Sequence, residues 1–202
     1  MMKRKPWDAR LASWLISPFI LSDVVQPNHF TTIRLITGIA AAVLFALGTY
    51  LNIAALLIVI SNFLDHADGE LARQGNKSSQ FGHIYDLASD AIVTILMFTG
   101  IGIGLAYGGV NPAASEYAIM GAIAGISVSV IFHLRYLIEN THGKTATAQP
   151  SWFGFEIEDI LYLMPLVTWF ELLKEFLFLS ATVAPIAGLL VYFQFRKLMR
   201  TT

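Results

Sequence analysis

The chain is predicted to be an all-α integral membrane protein, with six transmembrane helices preceded by an amphipathic helix on the membrane surface. Three observations lead there. Of its 202 residues, 55% are hydrophobic and only 13% charged, and the mean hydropathy is +0.62; a soluble domain carries about 25% charged residues. Six apolar segments can be drawn, most of them near the roughly 20 residues that cross a bilayer. The basic residues then fall almost entirely on one side of that drawing.

Residues 1–26 form a juxtamembrane segment. Its basic residues, Lys3, Arg4, Lys5 and Arg10, precede an apolar stretch that is short and interrupted by Pro18. It lacks a small-residue cleavage site, so it reads as a surface helix rather than a signal peptide. Residues 27–202 form the membrane domain, with spans at 31–50, 52–74, 82–107, 115–138, 157–172 and 176–196. The fifth is short and contains Pro165. Turn residues such as Gly108-Gly109 and Asn111-Pro112 mark a connection. Gly100 with Gly104, and Gly121 with Gly125, mark close helix contacts, either inside the chain or at a dimer seam.

With six spans, Lys3, Arg4, Lys5, Arg10, Arg34, Arg73, Lys77, Arg135, Lys144, Arg196, Lys197 and Arg200 share one side, and only Lys174 lies on the other. Such a bias places both termini in the cytoplasm of a multi-pass protein, expected in the cell's inner membrane. The chain has no cysteine, so neither disulfide nor thiolate chemistry is open to it. A net charge of −1 gives no sign of nucleic-acid binding.

The informative stretch is D-x2-D-G-x2-A-R-x8-G-x3-D-x3-D, running from Asp65 to Asp90. Asp65 and Asp68 are three apart near the end of the second span; Asp86 and Asp90 are four apart at the start of the third. Both spacings put a pair on one helical face, and the short loop makes the two helices antiparallel neighbours. Four carboxylates at one depth repel one another and lose hydration. Hard oxygen donors in that number suit two divalent cations, Mg2+ or Mn2+, an arrangement used in phosphoryl chemistry. The alternative is a salt-bridged helix end with Arg73 and Lys77 as counterions, although ionisable residues within a membrane point to function. Gly69 costs a helix interior about 1 kcal/mol relative to alanine. Together with Ala72 and Gly82 it suggests a slot for a nucleobase or diphosphate, or else tight packing of the two spans. Arg73 offers a fork to phosphate oxygens.

This pattern resembles the signature of the CDP-alcohol phosphotransferase family, with Asp65, Asp68, Gly69, Ala72, Arg73, Gly82, Asp86 and Asp90 in place. The segment PNHFTTIR at 27–34 is similar to a second family element. The resemblance implies a six-helix fold, a homodimer, and transfer of a substituted phosphate from a CDP-linked donor to an alcohol acceptor with release of CMP. It implies Asp65, Asp68, Asp86 and Asp90 as metal ligands, with Asp90 also the general base. Gly69, Ala72, Arg73 and Gly82 would line the CDP site, with Asn28, Thr31 and Ser79 beside them. Asn28 and Thr31 also fit the helix-capping preference.

Arg34 and the chain length resemble members that use CDP-diacylglycerol, so phosphatidyl transfer is expected. The alternative is a soluble CDP-alcohol, such as CDP-choline or CDP-ethanolamine, acting on a lipid hydroxyl. YDLASDAI lacks the proline and lysine of the DPxADK pattern and looks closer to inositol-type members. Arg135, Arg196 and Lys144 are candidates for an acceptor phosphate. Glu156, Glu158 and Asp159 beside Trp152, Phe153 and Phe155 suit a polyol or an amino alcohol, or an interfacial aromatic belt. His66, His83 and His133 lie on the same side, where His83 either meets the acceptor or hydrogen-bonds structurally. A cation transporter would need carboxylates near mid-bilayer and repeated halves, and the sequence shows neither.

Overall fold

The computed structural model describes residues 7–107, 114–143 and 157–200. Its elements, in order, are α1 (Trp7–Ile16), α2 (Pro27–Leu47), α3 (Leu51–Gln74), α4 (Gln80–Tyr107), α5 (Ala114–His142), α6 (Met164–Trp169) and α7 (Leu173–Leu198). Short 3-10 helices lie at Ser17–Phe19 and Ile157–Leu163. Lys3, Arg4, Lys5, Lys144 and the side chains of Trp152, Phe153, Phe155, Glu156, Glu158 and Asp159 lie outside the described residues.

Helices α2, α3, α4, α5 and α7 are long and apolar enough to cross a membrane. The fifth predicted span takes a different form. Pro165 sits in the first turn of α6, where it lacks an N–H and would clash with the carbonyl four residues earlier. The α-helix therefore cannot extend upstream, and the tighter 3-10 helix precedes it. The two together rise roughly 23 Å, less than the roughly 30 Å hydrocarbon core. Leu161 lines the cavity that holds the carboxylates, while Thr168 lines a second cavity with Gly48, Leu51 and Leu105. Among the described residues, five helices are thus long enough to cross, and this short apolar pair stands where the fifth of the six spans is expected.

Helix α1 buries Ala9, Ala12 and Ile16 and exposes Leu11, Trp14 and Leu15, the two faces of an amphipathic helix. Ala12 and Ile16 pack with Ala67 and Leu71 of α3, and Ser13 accepts a hydrogen bond from Gln74. Lys77 donates to the carbonyls of Phe19 and Val25 at 3.2 and 2.9 Å, and also to that of Ser22. The link between α1 and α2 is thereby tied to the α3–α4 loop.

Between membrane helices there is little hydrophobic driving force, so close van der Waals contact has to hold them together. A Cβ at Gly100 or Gly104 would strike the carbonyls of Ala42 and Phe45 on α2. One at Gly121 would strike the Phe98 carbonyl on α4, and one at Gly125 would come within 2.8 Å of the Ile95 Cα. Both glycine pairs are thus used inside the chain. Gly48, at φ 65°, ends α2 and donates to the carbonyl oxygens of Leu44 and Phe45, turning the chain back into α3.

Candidate active site

Helices α2 and α3 run antiparallel in a fixed register. Thr31 meets Asp68, Arg34 meets Asp65, and Gly38 faces Ser61; each pair of numbers adds to 99. The three-residue step between Thr31 and Arg34 thus matches the step between Asp65 and Asp68. Helix α4 runs parallel to α2 and brings Asp86 and Asp90 to the same place.

At the centre stands Arg34, only 3% exposed. Its Nη1 lies 2.6 Å from Asp65 Oδ1 and 2.8 Å from Asp86 Oδ1. Its Nη2 donates to Asp90 Oδ1. Its own carbonyl accepts from Ser61 at 3.0 Å. Asp68, 4% exposed, accepts from the Thr31 hydroxyl at 2.7 Å. The expected counterions, Arg73 and Lys77, are engaged elsewhere: Arg73 Nη2 donates to Glu70 Oε1 at 3.0 Å, and Lys77 donates to the carbonyls named above. Glu70 is itself buried and also accepts from Gln74 at 2.7 Å, so it anchors one nitrogen of the Arg73 guanidinium, while the side chain as a whole stays 60% exposed.

Two cavities converge here. One, about 290 Å³, is lined by Asn28, Thr31, Asp68, Gly69, Ala72, Arg73, Lys77, Ser79, Gly82 and Asp86, among others. Every residue that the resemblance assigns to CDP faces it. Asn28 lies in the first turn of α2, but the cap is Gln26, whose backbone N–H donates to His29 Nδ1 at 3.3 Å. Asn28 is therefore left to the pocket, where its Oδ1 would sit 2.9 Å from a Cβ on Gly82. Ser79 immediately precedes α4 and accepts from the Gly82 N–H at 3.0 Å, the bond of an N-cap. A Cβ on Gly69 would meet nothing closer than Arg73 Nη1 at 3.3 Å, so helix packing does not require glycine there.

The other cavity, about 380 Å³, holds Arg34, Asp65, Asp86 and Asp90. Its polar wall adds Asn62, His66, His83, Arg135, Tyr136 and Glu139. Ile58, Met97 and Leu161 line its apolar part, with Ile58 about two helical turns from Asp65. His83 stacks obliquely on Tyr136 at 4.5 Å. Its Nε2 and the Asn62 amide nitrogen are buried without a hydrogen-bond partner, in keeping with polar groups meant for a ligand. His66 Nδ1 lies 2.9 Å from the Asn62 carbonyl. Arg196 lies over Tyr192 on α7, at 6.0 Å from the ring centroid, and His133 is exposed; neither lines either cavity.

The donor set fits a hard divalent cation. Asp65, Asp68 and Asp86 each offer an oxygen, and these lie within 4.8 Å of one another. Ligands about 2.1 Å from an octahedral ion lie up to about 4.2 Å apart, which small side-chain rotations would reach. The Arg34 guanidinium stands among the four carboxylates, with Arg73 and Arg135 lining the same cavity. Asp90 shares the Arg34 guanidinium with Asp65 and Asp86. The central place of Arg34 and the anchoring by Glu70 were not legible beforehand. The usable signals were Thr31 with Arg34, and Glu70 with Arg73, each three apart on one helix face.

Comparison with known proteins bears on the family and the fold. The CDP-alcohol phosphatidyltransferase family matches residues 24–193. A bifunctional IPC transferase and DIPP synthase of Aquifex aeolicus is 27% identical over 142 residues, covering 64% of this chain and 32% of that protein. A cholinephosphotransferase 1 of Danio rerio is 30% identical over 98 residues, covering 44% and 25%. The chain thus matches a third or less of these relatives' lengths. The crystal structure of Mycobacterium tuberculosis phosphatidylinositol phosphate synthase with CDP-DAG bound superposes with a TM-score of 0.61 at 18% identity, covering 93% of this chain and 90% of that one; at that identity the likeness speaks for the fold. The family match over most of the length joins the carboxylate nest and the apolar helical bundle in one conclusion: the chain belongs to the CDP-alcohol phosphatidyltransferase family.

Proposed function

We propose that the chain transfers a phosphatidyl group from CDP-diacylglycerol to the hydroxyl of an alcohol, releasing CMP, with two divalent cations, Mg2+ or Mn2+, at the carboxylates. The observation that carries this is the meeting of the two cavities. Arg73, His83 and Asp86 line both, so a donor in the smaller pocket and an acceptor in the larger would face each other across the carboxylate nest.

Asp65, Asp68, Asp86 and Asp90 would hold the cations, which, when bound, supply Lewis acidity at the diphosphate. Asn28, Gly69, Ala72, Ser79 and Gly82 shape the slot for the nucleotide. Arg73 donates to phosphate oxygens and stabilises the charge that departs with CMP. Thr31 holds Asp68 in orientation. Asp90 accepts the proton of the acceptor hydroxyl as its oxygen bonds to the phosphorus bearing the diacylglycerol. The bond from that phosphorus to CMP breaks on the opposite side, as in-line displacement requires. An aspartate is a weak base, near pKa 4 when unperturbed, so its position beside the hydroxyl matters more than its strength.

The distribution of basic residues supports a cytoplasmic site and cytoplasmic termini in the inner membrane. A homodimer is proposed on the family resemblance. The test offers CDP-diacylglycerol with a panel of small alcohols and, in parallel, CDP-choline and CDP-ethanolamine with diacylglycerol, and identifies the lipid product by mass spectrometry. A phosphatidyl-alcohol formed from CDP-diacylglycerol is expected. Product from the soluble donors alone would replace this reading with the reverse division of donor and acceptor.

A further inference from the structure

A line of hydrogen bonds runs from the surface helix α1 to the two cavities. It starts at Ser13 on α1, whose hydroxyl accepts from Gln74 Nε2 at 2.6 Å. The same nitrogen donates to Glu70 Oε2 at 2.7 Å, and Glu70 Oε1 accepts from Arg73 Nη2 at 3.0 Å. A carboxylate only accepts, and an amide nitrogen carries two N–H donors. Gln74 therefore spends one N–H on each partner, which fixes the orientation of its amide. At the far end Arg73 lines both cavities, together with His83 and Asp86.

The Glu70–Arg73 pair differs from an ordinary ion pair on a helix surface, which contributes little. The Glu70 side chain is 4% exposed and that of Arg73 60%. A buried carboxylate is tolerated only while it stays paired and hydrogen-bonded, so Glu70 keeps its hold on Arg73 and Gln74. Helix α1 packs on the same stretch of α3, with Ala12 and Ile16 against Ala67 and Leu71. An unheld guanidinium would have other acids within its two cavities. Asp65, Asp86, Asp90 and Glu139 line the larger, along with Arg34 and Arg135, and Asp68 lines the smaller. The bond to Glu70 keeps Nη2 from them. A guanidinium has five N–H donors, so others remain for phosphate oxygens.

We infer that Glu70 is a positioning residue: it holds Arg73 where the two cavities meet, ready for the donor diphosphate, and Gln74 and Ser13 tie that setting to α1. This rests on the contact between Arg73 and the donor proposed above. Glu70 occupies one of the open positions of the D-x2-D-G-x2-A-R spacing, so it adds to the residues of the pattern rather than repeating them.

The test measures the dissociation constant of CDP-diacylglycerol for the full chain in phosphatidylcholine nanodiscs with Mg2+, by competition against radiolabelled CDP. Glu70→Ala should weaken binding roughly three- to tenfold, the cost of ordering one long side chain that was held beforehand. In an Arg73→Ala background the same substitution should change nothing, because Glu70 acts through Arg73. Glu70→Gln keeps an oxygen for Arg73 and should bind within about twofold of the wild type. Ser13 lines neither cavity, yet Ser13→Ala should weaken binding roughly twofold, again only while Arg73 is present. That pair decides if Glu70→Ala does not fold. Equal losses with and without Arg73, or unchanged binding in Glu70→Ala, would overturn the inference. Weakened binding in Arg73→Ala alone would overturn only the role of Glu70, whereas no binding by the wild type would overturn the proposed donor as well.

Discussion

A methyl group added at Gly69 would meet only the Arg73 guanidinium, at 3.3 Å, and that side chain is 60% exposed and can move. Gly69→Ala should therefore leave the fold intact and stabilise α3 by up to about 1 kcal/mol. The same methyl enters the pocket shared by Asn28, Ala72 and Arg73, so CDP-donor affinity should fall roughly tenfold or more, since close backbone approach by the ligand is blocked. A thermal melt and a donor-binding isotherm read the two effects separately; a destabilised variant with normal affinity would place the glycine in packing instead. Asp90→Asn removes the proton acceptor but retains an oxygen for Arg34. Turnover should drop by roughly 10²–10⁴ with donor affinity largely kept, and full activity in that variant would take Asp90 out of the base role. The two aspartate pairs were suggested by spacing, because Asp65 and Asp68, and Asp86 and Asp90, lie three and four residues apart on one helix; the pocket glycines were assigned to the nucleotide through the family resemblance. Arg34 was legible only as a family feature, since its contacts reach 52 and 56 residues along the chain and depend on the register of three helices.

At the scale of elements, the contact of α4 with α5 depends on backbone-to-backbone approach. A Cβ at Gly121 would collide with the Phe98 carbonyl, with the Thr99 Cα only 3.0 Å away. Gly121→Ala should cost about 1–3 kcal/mol, as overpacking does in close-packed interiors. Gly188 on α7 is the control: a Cβ there lies 3.6 Å from Ile131 Cγ1, an ordinary contact, so Gly188→Ala should be neutral or slightly stabilising. Melting temperatures in one detergent compare them, and equal shifts would deny the small-residue packing. The long helices were legible to within a few residues: 52–74 became Leu51–Gln74 and 82–107 became Gln80–Tyr107. Hydropathy over twenty residues is a strong signal, and Gly48 and Ser79 mark real ends. The fifth pass was not legible in form, because Pro165 breaks the hydrogen-bond ladder without changing the apolar composition by which spans are recognised.

The whole molecule is a bundle with chemistry at one end. Asp65, Asp68, Asp86, Asp90, Arg34 and both cavities that meet Arg73 lie there, whereas Gly48, Tyr50 and Glu171 gather at the other. Because the chain has no cysteine of its own, single cysteines report sidedness directly. Thr49→Cys should react with an impermeant maleimide on intact cells and Ser78→Cys only after permeabilisation; the reverse pattern would invert the orientation. In the proposed reaction the Asp65, Asp68, Asp86 and Asp90 nest turns over CDP-diacylglycerol with bound cations. Its most direct measurement is CMP release by the purified chain, with the acceptor alcohol present, as Mn2+ or Mg2+ is removed by chelator and then restored. Release that stops on chelation, returns with the metal and is absent from Asp86→Asn is the predicted result, whereas steady release under chelator, or from the variant, would contradict it.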